Sequence, residues 1–167
     1  MTGVQTCALP ICRPSAILLG VVSALVLLPV CYLLLAGVRA GLQAAGLPAP
    51  AQQSVSLLLG SSSLLVRGSL LVVATLGAPL IEEMLFRGVF FTFARDLGYP
   101  RVALLGSSLL FGMVHFNLAA LLPLAVLGIA LARLYERSGS LLVTIAAHAT
   151  FNLVPFIALA LGFKPDE

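Results

Sequence analysis

Residues 68–93 read GSLLVVATLGAPLIEEMLFRGVFFTF. About 20 apolar residues suffice to cross a bilayer as a helix, so this run is long enough to span. It nevertheless carries two adjacent carboxylates, Glu82 and Glu83, and one cation, Arg87. The sequence holds six acidic residues, and the other four (Asp96, Glu136, Asp166 and Glu167) fall in connectors or at the C-terminal end. An ionisable group inside a membrane segment is costly and needs a partner or a purpose. On a helix Glu83 and Arg87 lie four apart and share a face, so they can pair. Glu82 points about 100° away around the same helix and has no such partner nearby in sequence. Glu82 is therefore the candidate for chemistry, and Glu83 with Arg87 is the candidate brace.

The rest of the chain has the same character. It is 60% hydrophobic and 9% charged, with a mean hydropathy of +1.14. Ordinary soluble domains carry about a quarter charged residues. The expected fold is all-α: one polytopic transmembrane bundle over residues 12–167, embedded in a lipid bilayer. The net charge is +3, with arginines scattered one or two to a connector. That scatter reads as a topology signal, not a nucleic-acid surface. Trp is absent, so Tyr32, Tyr99 and Tyr135 are the candidates for an interfacial belt.

Residues 1–11 stand apart. They have neither a basic start nor a long apolar run, so they are no signal peptide. They back-translate, from a GTG start, to a string resembling a sequencing-library adapter. The expectation is that residues 1–11 are an assembly artefact and that the native N-terminus is missing. Cys7 then drops out and Cys12 becomes doubtful. Cys31 stands alone in an apolar helix, and no disulfide framework remains.

Outward from the carboxylate run, residues 16–38 form an apolar span with Pro29 inside, and residues 39–53 a polar connector. Residues 54–66 form a short apolar segment, with Arg67 and Gly68 breaking the pattern before the span 68–93. A charged turn over 95–101 leads to a short apolar helix over 102–116. A span over 118–135, bent at Pro123, and a tight polar turn over 136–140 follow. The last span covers 141–163. This gives about six apolar segments, with no internal repeat.

Both histidines of the chain fall in apolar segments. Phe111 and His115 lie four apart, as do His148 and Asn152. At about 1.5 Å per residue, Glu82, His115, His148 and Asn152 all fall roughly 14–21 Å from one membrane surface, near mid-membrane. A carboxylate, two imidazoles and a carboxamide gathered in a low-dielectric site suit hydrolysis. Glutamate beside histidine can take a proton from water. A second histidine and an asparagine can donate hydrogen bonds to an oxyanion. The same groups could instead hold a divalent metal such as zinc, with Glu82, His115 and His148 as ligands. Taken singly, each has a plainer role: a histidine as a structural hydrogen-bonder, Glu83–Arg87 as a structural ion pair, Asn152 as a helix link, and Phe111 as packing against His115.

The pattern Glu82-Glu83-x-x-x-Arg87, Phe111-x-x-x-His115, His148-x-x-x-Asn152 resembles the three motifs of the CPBP family. These are the CAAX-protease and bacteriocin-processing (Abi) intramembrane peptidases. The link over 127–141 is similar to the family's stretch before its third motif, and the likeness covers about 68–153. The resemblance implies that Glu82 and His115 activate the attacking water. It implies that His148 and Asn152 stabilise the oxyanion, while Glu83 and Arg87 hold the site's shape. It also implies a peptide or protein substrate at the membrane. The family is often named as metalloproteases, though a metal-free glutamate mechanism has been argued for it. Its eukaryotic members trim prenylated tails, a role not extended to this chain. Two other classes compete: a non-enzymatic immunity or scaffold protein, and a proton-linked carrier built on buried Glu and His. The expected location is a bacterial plasma membrane. The side with Arg39, Arg95, Arg101, Arg133 and Arg137 is expected to face the cytoplasm.

Overall fold

The computed structural model describes residues 14–49, 56, 57 and 60–161. Beside helical residues at 56, 57 and 60, the described residues form five helices: α1 (Pro14–Ala44), α2 (Leu64–Asp96), α3 (Pro100–Met113), α4 (Leu118–Ser138) and α5 (Leu141–Ala160). No strand occurs among the described residues. Helices α1, α2, α4 and α5 are long and apolar enough to cross a membrane, and α3 is shorter. The fold is therefore an all-α, polytopic helical one, as expected.

Several boundaries differ from the sequence expectation. Helix α1 does not stop at residue 38 but runs through Arg39, Gly41 and Gln43 to Ala44, because polar residues extend a helix freely once it leaves the hydrocarbon. Arg67 and Gly68 do not break α2, which begins at Leu64 behind an N-cap at Ser63. Of the expected segment over 54–66, residues 54, 55, 58 and 59 lie outside the described residues, 56, 57 and 60 are helical, and the last three belong to α2. The artefact assigned to residues 1–11 also lies outside them. The turn expected over 136–140 shrinks to Gly139 and Ser140, since α4 continues to Ser138. There Gly139, at φ 63°, closes the helix with a bond from its N–H to the Tyr135 carbonyl (2.8 Å). Pro29, Pro123 and Pro155 lie inside their helices without ending them.

Helix α1 packs along α5 and α4, α3 packs along α4, and α2 leans on α5 and α3. Their shared core gathers Ala24, Cys31, Phe86, Phe111, Leu124, Leu127, Leu131 and Ala147. Close approach of α3 and α4 depends on Gly128. A Cβ there would come within 2.9 Å of the Ser108 Cα.

Two wider turns set the shape of α2. Residues Val73–Gly77 and Met84–Phe91 are π-helical, and they bracket an α-helical turn over Ala78–Glu83. Such turns inside α-helices occur frequently at functional sites. Their cause is partly legible in the chain. The Ala78 N–H bonds the Val73 carbonyl, five residues back. In that register the Ala74 carbonyl would take the N–H of residue 79, but Pro79 has none. At the other end the Thr92 hydroxyl covers the Arg87 carbonyl (2.8 Å), while the Thr92 N–H turns to Val89.

Helix α3 ends at Met113, so His115 lies beyond it, not on the face of a continuing helix as the Phe111–His115 spacing suggested. The Asn117 side chain accepts a bond from the Ala120 N–H (3.0 Å) and starts α4 there. Between them Phe116 adopts φ 49°, the one non-glycine left-handed residue described. A bulky side chain in that region costs about 1–2 kcal/mol.

Candidate active site

Helix α2 presents Glu83 and Arg87 inward, exposed to 0% and 1%. The Arg87 Nη1 donates to Glu83 Oε1 at 2.7 Å, and Nη2 donates to the Gly128 carbonyl on α4 at 3.0 Å. The guanidinium also sits 4.8 Å from the centre of the Phe111 ring. One side chain thereby ties α2 to both α3 and α4. Its fork can serve a carboxylate and a carbonyl together, which a lysine could not do in the same geometry.

His148, on α5, completes the cluster. Its Nδ1 lies 3.0 Å from Glu83 Oε1, and its Nε2 lies 3.7 Å from Glu82 Oε2. An ionised carboxylate only accepts, so Nδ1 is the donor and Nε2 is turned toward Glu82. The second distance is too long for a hydrogen bond. Glu82 has no partner near it in sequence; across the fold the two glutamates diverge around α2, yet one imidazole with nitrogens on two edges faces both. Glu82 Oε2, Glu83 Oε2 and Arg87 Nε are buried and unbonded among the described residues. The Glu82 side chain as a whole is 26% exposed, against 0% for Glu83, so Glu82 is the accessible member of the pair.

His115 enters from the α3–α4 turn. Its Nδ1 lies 2.8 Å from the Phe111 carbonyl, which can only accept, so Nδ1 carries a proton. Phe111 is fully buried and touches nearly everything: its ring meets Phe86 (5.3 Å), His115 (5.2 Å) and His148 (5.4 Å) edge-on. Edge-to-face contacts at these separations are favourable. The structure thus joins Glu82, Glu83, Arg87, Phe111, His115 and His148 in one contiguous group.

Asn152 sits farther along α5. Its Nδ2 donates to the Ala74 carbonyl at 2.9 Å, the acceptor that Pro79 leaves without a backbone donor. It keeps a second N–H. Glu82, His115 and His148 do not stand as a group that could share a metal ion; no such trio of His, Cys, Asp or Glu exists among the described residues. In this arrangement the donor set does not fit a shared cation.

Sequence reasoning passed over three groups: the Gly128 carbonyl, the Ala74 carbonyl and the Thr92 hydroxyl. The first two are backbone atoms with no residue signature. Only Pro79 hinted at the second, by withholding an N–H.

Comparison with known proteins supports the motif reading. The family described as type II CAAX prenyl endopeptidase Rce1-like matches residues 65–154. The chain is 34% identical over 83 residues to "Putative membrane peptidase YdiL" of Bacillus subtilis (strain 168). That alignment covers 50% of this chain and spans only 34% of the relative's length. No solved structure matches the chain. With four helices long and apolar enough to span, this is an integral membrane protein.

Proposed function

The chain belongs to the Rce1-like family of CAAX-type membrane peptidases, and on that premise we propose that it is an intramembrane endopeptidase. It hydrolyses a peptide bond of a peptide or protein in or near the membrane, in a bacterial plasma membrane. The observation that carries this reading is the placement of His148 between the two carboxylates, 3.0 Å from Glu83 and 3.7 Å from Glu82.

Glu82, the accessible carboxylate, takes a proton from water, and Nε2 of His115 accepts a hydrogen bond from that water. The hydroxide equivalent adds to the substrate carbonyl carbon, and negative charge moves to the carbonyl oxygen. His148, with Nδ1–H held by Glu83, donates from Nε2–H to that oxyanion, and the second N–H of Asn152 does the same. Hydrogen-bond donors fixed where charge develops are typically a large part of acyl-transfer catalysis. Glu82 then passes its proton to the leaving amine, and the C–N bond breaks. Arg87 and Glu83 do no chemistry in this scheme; they hold His148 in place. No step needs a metal.

The test is a cleavage assay on the full chain in detergent, with a fluorogenic peptide pool. Wild type, Glu82→Gln and His148→Ala run side by side, each with and without 1,10-phenanthroline. Both variants should lose activity by about 10²-fold or more, and the chelator should leave wild type unchanged. Full activity in Glu82→Gln would sink the mechanism. Chelator inhibition would put a metal in place of the metal-free scheme.

A further inference from the structure

Helix α3 has 14 residues, so it is about 21 Å long at about 1.5 Å per residue. A hydrocarbon core is about 30 Å thick. The charged residues Arg95, Asp96 and Arg101 bracket the entry of α3 and fix that end at a membrane surface. Helix α3 therefore stops inside the bilayer, and the chain unwinds there over residues 114–117 before α4 begins. Unwound backbone at that depth is tolerated only against protein or water, not against lipid.

The second observation concerns Phe116. It occupies a left-handed position that glycine would take without strain, and it is 96% exposed, the most exposed large hydrophobic residue described. Bulky residues held in such conformations cluster at active sites and ligand clamps. Its neighbour in the chain is His115, which hangs from the Phe111 carbonyl. Within the fold it adds no packing, and it strains the turn.

We propose that the α3–α4 turn is the water-facing lip of the site, and that Phe116 on it binds an apolar side chain of the substrate beside the bond to be cut. The substrate class is then an extended peptide with a hydrophobic residue next to the scissile bond. Water reaches His115 and Glu82 along the same lip. The recognition half rests on the peptidase reading; the placement of the turn against water does not.

Two measurements test this on the full chain. The first is cysteine labelling in membranes with a charged, water-soluble methanethiosulfonate, in a background with Cys7 and Cys12 replaced by serine. The buried Cys31, 2% exposed, serves as an internal unreactive thiol. Only a thiolate reacts, so labelling reports water. Phe116→Cys should label about tenfold or more faster than Leu109→Cys, an exposed position on the side of α3. Equal, slow labelling of both overturns the proposal however well the enzyme cleaves peptides.

The second measurement uses Phe116→Gly, which removes the ring and relieves the backbone, so its thermal stability should equal or exceed wild type. Its KM for peptides with Leu or Phe beside the scissile bond should rise about tenfold with kcat retained, and its preference over Ser at that position should vanish. An unchanged KM and preference overturn the role of Phe116. If wild type cleaves no peptide at all, the peptidase reading and the recognition role fall together, and labelling still decides whether the turn meets water.

Discussion

The two histidines of the site are held in opposite ways. His148 sits 2% exposed on the middle of a long helix, with Glu83 on one nitrogen, Glu82 facing the other and Phe111 against its ring. His115 sits half-buried on a turn, tied by one nitrogen to a backbone carbonyl and followed by a strained residue. The braced half is cross-linked to three helices through Arg87; the loose half hangs from one. The division suits the proposed chemistry. A group that stabilises a developing charge must not move, whereas a group beside the point of entry must admit water and chain.

Substitutions can break this contrast, and their expected effects on stability run from large to negligible. Glu83→Ala leaves Arg87 and His148 buried without their shared acceptor. Removing one partner of a buried pair costs about 3–5 kcal/mol, so this variant should show the greatest fall in melting temperature and no cleavage. Gly128→Ala drives a Cβ to 2.9 Å from the Ser108 Cα. Overpacking of this kind costs about 1–3 kcal/mol, and it also pushes away the carbonyl that Arg87 holds. A lowered kcat at nearly unchanged KM is expected, because the brace and not the substrate is displaced. His115→Ala should leave the melting temperature within about 1 kcal/mol of wild type while cutting kcat by about 10²–10⁴-fold. A large loss of stability in that variant would erase the contrast between the halves. Leu65→Ala, on the stretch Leu64–Val72 where no residue is buried, should change stability by no more than about 0.5 kcal/mol and activity not at all.

Hydropathy made the helical class and most of the spans legible, because a bilayer imposes one length and one polarity on whatever crosses it. It misjudged the ends. Residues 39–44 look like a connector by polarity, yet a helix that has already left the hydrocarbon has no reason to stop at an arginine. The spacing of Phe111 and His115 suggested one helical face; the Asn117 cap, which begins the next helix, ended the first one early. Of the candidate site residues, Glu82, Glu83, Arg87, His115, His148 and Asn152 stand out in the sequence because charged and polar residues are scarce in such spans. That scarcity drew attention to them but left their geometry open. The π-helical turns depend on hydrogen-bond register, of which Pro79 is only a partial trace, and the Gly128 carbonyl is the same atom in every residue, so it leaves none.

The bond from Asn152 to Ala74 carries a consequence for how substitutions combine. Pro79 withholds an N–H and Asn152 supplies one, so two positions far apart in the chain jointly satisfy a single oxygen. An alanine at 79 would return the missing donor and relieve position 152 of that structural task, though not of its proposed part at the oxyanion. An alanine at 152 should cost less stability in a chain that had already lost the proline. The loss of stability from Pro79→Ala and Asn152→Ala combined should therefore be smaller than the sum of the two alone.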